Sequence, residues 1–251
     1  MVVYYKMIPC YVIHVGQTFP NKEALDGIGL DPIGFKGVDA RKDEHLQYSE
    51  YIENSCQFTC PKTAIGCGLS HVLLAEKLYD EGYDTALVLE DDAYPFQTID
   101  FESVIQTVPD DWEIIKLHCD TGCMDGSHSL DDHGSTAAYI INRKGMLKLK
   151  DTKVRFHIDY QIAHMSDIVS YKSLHNLFWT DESNSINREK DSVHWLSYFF
   201  KEPTSGEKKN YHKLSYKIIR IPGTDVEFST RQIIDGVLIL ACVLFFVYKF
   251  S

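Results

Sequence analysis

The feature that most restricts this chain is an abrupt junction between apolar and acidic residues. Residues 86–89 read Ala-Leu-Val-Leu, and Glu90, Asp91 and Asp92 follow at once, with Pro95 closing the run. A short apolar stretch bounded by polar residues and proline suits a buried strand better than a helix. A strand over 85–89 therefore delivers three carboxylates to its own carboxyl end. Side chains alternate along an extended backbone, which predicts Glu90 and Asp92 on one side and Asp91 on the other. Neighbouring carboxylates repel one another unless a cation neutralises them, and oxygen donors select hard ions such as Mg²⁺ or Mn²⁺. Such an ion can bridge the phosphate oxygens of a nucleotide. The competing interpretation of the triplet is an acidic turn that caps the next helix.

The flanking pattern alternates strand and helix. Residues 10–15 form a first strand around Tyr-Val-Ile-His-Val. Residues 61–79 carry Ile65, Leu69, Val72 and Leu73 at helical spacing. Further strands are expected over 113–117 and 135–141, and Asn142-Arg-Lys-Gly opens a short helix over 144–149. Alternation of this kind predicts an α/β fold with a mainly parallel central sheet. Ligands of such sheets sit at the carboxyl ends of the strands, where the acidic triplet lies.

Within the long helix, Ala64-Ile-Gly-Cys-Gly-Leu-Ser-His71 places two glycines close to Ser70 and His71. Exposed backbone N–H groups near a helix start favour an anion, and His71 can meet a diphosphate or a metal. Equally, the glycines can serve close packing against the sheet, with His71 a hydrogen-bonded core residue. Three further histidine candidates follow: His118, His133 and the His157-Ile-Asp159 segment, the last expected to present both polar side chains on one face of a strand.

Charge divides the chain. Residues 1–140 hold 24 acidic and 8 basic side chains, and residues 141–251 hold 12 acidic and 17 basic. An acidic half that must meet an anionic substrate needs a cation as intermediary. The sequence pI near 5.4 argues against a nucleic-acid partner, since binders of the phosphate backbone present a basic surface. The seven cysteines include two Cys-x-x-x-Cys pairs, 56/60 and 119/123, which lack the usual structural-zinc spacing. Reduced thiols facing a cytosol are the simplest expectation. Residues 233–250 read Ile-Ile-Asp-Gly-Val-Leu-Ile-Leu-Ala-Cys-Val-Leu-Phe-Phe-Val-Tyr-Lys-Phe, which predicts a single-pass transmembrane tail anchor over 232–251. Basic residues before it predict a cytosolic globular part, with a basic cap or linker over 191–231.

Taken in order, these blocks resemble glycosyltransferase family 25, which includes lipooligosaccharide and collagen galactosyltransferases. The resemblance covers about residues 8–190. It runs through Tyr11-Val-Ile-His-Val, residues 35–41 (FKGVDAR), the Gly-Cys-x-x-Ser-His helix, the Glu90-Asp-Asp signature, residues 112–117 (WEIIKL), 135–149, the His157-Ile-Asp segment and residues 182–186. It departs after the first strand, where members usually show Asn-Leu-Asp-x-x-x-x-Arg and this chain has HVGQTFPNKEAL. The resemblance implies a GT-A-like nucleotide-diphospho-sugar transferase fold over 1–190 and a UDP-sugar donor. It further implies a Mn²⁺ or Mg²⁺ ion held through Glu90, Asp91 and Asp92, with Asp92 the foremost ligand. Transfer of a hexose, galactose or glucose, to a hydroxyl of a glycan or glycoprotein acceptor would invert the sugar, with Asp159 as base. Ser70 and His71 would line the donor pocket, and Asp39 would reach the uridine or ribose. A non-catalytic sugar- or nucleotide-binding protein and a metal-dependent phosphoesterase are the rival expectations.

Overall fold

The computed structural model describes residues 8–119, 135–181 and 217–250. In chain order the elements are β1 (Cys10–His14), α1 (Lys22–Gly27), β2 (Pro32–Lys36), α2 (Asn54–Thr59), α3 (Lys62–Asp80), β3 (Thr85–Glu90), β4 (Ala93–Pro95) and α4 (Phe101–Gln106). They continue with β5 (Ile114–Lys116), β6 (Ala138–Asn142), α5 (Arg143–Lys150), α6 (Ile158–Ala163), β7 (Ser170–Lys172), β8 (Phe178–Thr180), β9 (Lys217–Arg220), β10 (Glu227–Ser229) and a C-terminal helix, Thr230–Phe250.

Six strands form the central sheet in the order β2-β1-β3-β6-β5-β7. β1 is parallel to both β2 and β3, β5 is parallel to β7, and β6 alone runs antiparallel to its neighbours. This is the α/β architecture with a mainly parallel sheet that the alternation predicts. Both faces are covered. Along β3, Ala86 and Val88 join the core beneath α3 and α5, while Leu87 and Leu89 join the core on the opposite face with Leu25 and Val108. Burial on both faces explains why β3 reads as an uninterrupted apolar run.

The long helix sits close to the sheet because glycines let it. A Cβ on Gly66 would lie 2.6 Å from the Val38 carbonyl oxygen, and one on Gly68 would lie 2.7 Å from Val154 Cγ1. Both glycines fall beyond the first four residues of α3, so their N–H groups are not the unpartnered ones at its start. Close packing, rather than anion binding, accounts for them. At α5 the expected start is met: Asn142 Oδ1 accepts from the Gly145 N–H at 3.0 Å.

Three expectations need correction. Cys56 and Cys60 are joined as a disulfide, and Cys119 is also disulfide-bonded, so the chain does not carry only reduced thiols. Cys10 and Cys67 are free. The His157-Ile-Asp159 segment is not a strand: His157 precedes α6 and Asp159 lies in its first turn, so alternation does not place them on one face. Among the described residues no helix is long and apolar enough to cross a membrane, so the expected transmembrane anchor is not met. In the C-terminal helix the described apolar side chains run from Ile233 to Phe245, and Asp235 interrupts them. Ahead of this helix, the β9/β10 hairpin docks on the domain through Glu227, which accepts from the Lys62 N–H at 2.7 Å, and through Arg220 on the Gln57 carbonyl. His133 and residues 182–186 lie outside the described residues.

Candidate active site

A cavity of about 330 Å³ opens where β1 and β3 end. Its walls come from four places: the end of β1 at His14, the turn after β2 from Val38 to Arg41, the middle of α3, and the acidic turn after β3. Glu90, Asp91 and Asp92 all line it. The alternation expected of them is not observed, because β3 stops at Glu90 and the next two residues turn. A turn allows three consecutive carboxylates to converge where a strand would separate them.

Glu90 is the best anchored of the three. Its Oε1 accepts from Thr136 Oγ1 at 2.9 Å and lies 3.3 Å from His71 Nε2, while His71 Nδ1 lies 2.9 Å from the Tyr139 hydroxyl. Burial by itself would raise the Glu90 pKa, but the hydrogen bond and charge of His71, with Thr136 and Lys116, hold it below the ordinary value. Asp91 behaves in the opposite way. Burial, reinforced by the Glu90 charge, raises its pKa against a smaller opposing contribution from His14. The turn itself is fixed from α1's side. Buried Asn21 donates through Nδ2 to the Glu90 carbonyl at 3.1 Å and to the Ala93 carbonyl at 2.7 Å. Across the mouth, the Asp181 N–H donates to the Asp92 carbonyl at 2.9 Å, beside the β4/β8 pairing in which Tyr94 stacks on Trp179.

The opposite wall is built around Asp39, whose side chain is 3% exposed. Arg41 grips it in a bidentate fork, Nε to Oδ1 at 2.7 Å and Nη2 to Oδ2 at 2.8 Å, and Lys42 lies 3.5 Å away. The Arg41 hydrogen bond, outweighing burial, holds the Asp39 carboxyl below the ordinary carboxylate range. Asp39 is thus committed to Arg41, and Arg41 is the side chain it presents to the cavity. Ser70 is also committed, since its Oγ accepts from the Val38 N–H at 2.9 Å and donates to the Gly66 carbonyl at 2.6 Å. It ties the turn after β2 to α3.

The structure therefore brings Asp39, Ser70, His71, Glu90, Asp91 and Asp92 to one cavity. Asp159 is half-buried on α6 and does not line it, although its charge bears on Cys67, which does. His118 and His157 hold backbone carbonyls, of Phe178 and Lys217, and neither lines the cavity. Sequence reasoning missed Asn21, Arg41, Thr136 and Tyr139. Of these, Tyr139 alone left a signal, because a tyrosine amid the buried Ala-Ala-Tyr-Ile-Ile strand must find a partner for its hydroxyl.

No curated protein sequence matches the chain. Solved structures that resemble it include A197 from STIV, 14% identical with a TM-score of 0.41, covering 75% of this chain and 100% of that one. HddC from Yersinia pseudotuberculosis, complexed with GMP-PN, is 13% identical with a TM-score of 0.36, covering 69% and 93%. A glycosyltransferase involved in the glycosylation of the major capsid of PBCV-1 is 11% identical with a TM-score of 0.34, covering 57% and 64%. Each is a distant likeness that bears on neither substrate nor chemistry here. The sequence itself is more informative: residues 22–129, which supply α3 and the acidic turn, match the model of glycosyltransferase family 25 (LPS biosynthesis protein), the family whose motifs the chain carries in order.

Proposed function

We propose that the cavity binds a nucleotide-sugar donor and that the enzyme transfers a hexose, galactose or glucose, to a hydroxyl of a glycan or glycoprotein acceptor with inversion, on a GT-A-like scaffold. The observation that supports this best is the convergence of Glu90, Asp91 and Asp92 on one cavity at the carboxyl end of a buried strand. Three carboxylates repel a diphosphate unless a cation intervenes. The donor set suits a hard divalent ion: the oxygens are carboxylate, and Asp91 is pushed toward its neutral form by burial and by Glu90, a strain that a bound cation would relieve. Glu90, Asp91 and Asp92 would hold Mn²⁺ or Mg²⁺, with Asp92 the foremost ligand. When bound, such an ion stabilises charge on the departing nucleotide.

The chain's own residues supply the rest. Arg41 uses two of its five N–H donors on Asp39 and keeps the others for an anionic group in the cavity. Because Asp39 fixes the guanidinium beforehand, little rotamer freedom is lost when the donor binds. Asn21 holds the acidic turn in register. Asp159, whose charge bears on Cys67, is the carboxylate this assignment uses to take the proton of the acceptor hydroxyl.

The test is release of UDP from UDP-galactose and UDP-glucose by the purified protein, with and without Mn²⁺. Metal-stimulated release that rises when an acceptor is added supports the assignment. Donor binding without any release in the presence of acceptors favours a sugar- or nucleotide-binding protein, and hydrolysis of a plain phosphodiester favours a phosphoesterase.

A further inference from the structure

We propose that the inner wall of the cavity is a thiophilic metal site, in which Cys67 Sγ, His71 Nε2 and a carboxylate oxygen of Glu90 ligate one Zn²⁺. The three ligand atoms lie within 4.8 Å of one another. All three residues line the cavity, so a fourth position faces its open space. That is the arrangement of a zinc site with three protein ligands and one exchangeable position.

The distances fit. Two ligands held about 2.0–2.1 Å from zinc at the tetrahedral angle stand about 3.3–3.4 Å apart. His71 Nε2 and Glu90 Oε1 stand 3.3 Å apart. The supporting shell is also present. A ligating imidazole needs a partner on its other nitrogen, and His71 Nδ1 faces the Tyr139 hydroxyl at 2.9 Å. That hydroxyl serves either tautomer, donating to Nδ1 when Nε2–H points at Glu90 and accepting from Nδ1–H when Nε2 turns to a metal. Glu90 is steadied by Thr136. Sulfur and imidazole distinguish this set from the carboxylates beside it, because thiolate favours zinc over manganese or magnesium. The thiol proton leaves to solvent as the metal–sulfur bond forms.

Glu90 belongs to both sets, so the two ions compete. Zinc at the inner wall takes a carboxylate from the hard-ion site, and it inhibits transfer. The inhibition rests on the transferase assignment above; the binding does not.

Cobalt titration reads the binding directly. Co²⁺ added to the full chain should give a sulfur-to-cobalt charge-transfer band that saturates at one ion per chain and is bleached by Zn²⁺. Cys67→Ser should lose the band, and Tyr139→Phe should weaken Zn²⁺ binding about 10–100-fold. X-ray absorption of the zinc-loaded wild type needs no variant, and should show one sulfur near 2.3 Å among nitrogen and oxygen ligands near 2.0–2.1 Å. An all-nitrogen-and-oxygen shell, or a cobalt band that survives Cys67→Ser, would overturn the site. Zn²⁺ should also suppress Mn²⁺-stimulated UDP release, with Cys67→Ser at least tenfold less sensitive. A normal cobalt band without any UDP release would instead count against the transferase assignment alone.

Discussion

The two walls of the cavity hold acidic residues in opposite electrostatic conditions. Asp39 is almost fully buried, yet its pKa is depressed, because Arg41 meets both of its oxygens. Asp91 is less buried, yet its pKa is raised, because burial and then the Glu90 charge both push it up and His14 opposes them only in part. Burial pushes both carboxyls upward, and what separates them is whether a cationic neighbour outweighs it: Arg41 does so for Asp39, and His14 does not for Asp91. One wall is neutralised by the protein itself and has a structural carboxylate. The other carries surplus negative charge into the cavity that the proposed anionic donor would enter. A wall of that kind makes sense as one completed by a cation.

The largest expected effect tests the second wall. Asp92→Asn removes a charge from the proposed ion site without changing the shape of the turn, whose backbone is held by Asn21 and Asp181. Lewis-acid stabilisation worth several kcal/mol corresponds to about 1000-fold or more in rate. Turnover should fall by that much while the circular dichroism spectrum and Tm stay near wild type. Near-normal turnover would remove the acidic turn from the chemistry.

The first wall should answer in stability instead. Asp39→Asn loses a charged fork and part of a cap, since Asp39 also accepts from the Arg41 N–H at 3.3 Å. Arg41 remains partly in water, which limits the cost to about 1–3 kcal/mol. Because the folded pKa of Asp39 is depressed, its contribution is complete above the unfolded value of 3.8 and is lost as pH falls through the folded value. Urea midpoints measured from neutral to acidic pH should show the variant and the wild type converging at the acid end. A variant equally destabilised at every pH would assign the loss to packing.

Gly66→Ala asks whether the walls are independent. The added methyl would press on the Val38 carbonyl and on Ala40, in the turn that carries Asp39 and Arg41. Overpacking of this kind costs about 1–3 kcal/mol. Its effect on donor KM should exceed its effect on metal affinity, as measured by Mn²⁺ titration of UDP release. Equal effects would mean that the two walls move together.

These walls were not equally legible. The acidic turn was plain in the sequence because a buried strand and a carboxylate cluster adjoin, and the helix around His71 was plain from its period. The side of each carboxylate was misjudged, because alternation holds only while the chain stays extended, and β3 ends at Glu90, two residues short of Asp92. Asp39 was found, but its role was not, since nothing in residues 35–41 reveals that Arg41 folds back onto it. Asn21 and Thr136 act through contacts 46 to 72 residues away along the chain, and only the tertiary fold brings such partners together. The Cys56–Cys60 bond was missed because Cys-x-x-x-Cys spacing fixes neither redox state nor partner.

The smallest effect makes the sharpest distinction between the walls. The folded pKa of Asp91 is raised above its ordinary 3.8, so the stability linked to its protonated form is fully present below 3.8 and is lost as pH rises through the folded value. At neutral pH and without divalent ions, Asp91 is then a liability, the reverse of Asp39. Asp91→Asn should raise Tm by about 1–2 °C in chelator-treated protein, and the gain should shrink as pH is lowered toward the raised value. Adding Mn²⁺ should reverse the order, because an ion that binds only the folded state stabilises the form that binds it more tightly. If Asp91→Asn lowers Tm in chelator as Asp39→Asn does, both carboxylates are structural, and the cavity no longer has one wall that needs a cation.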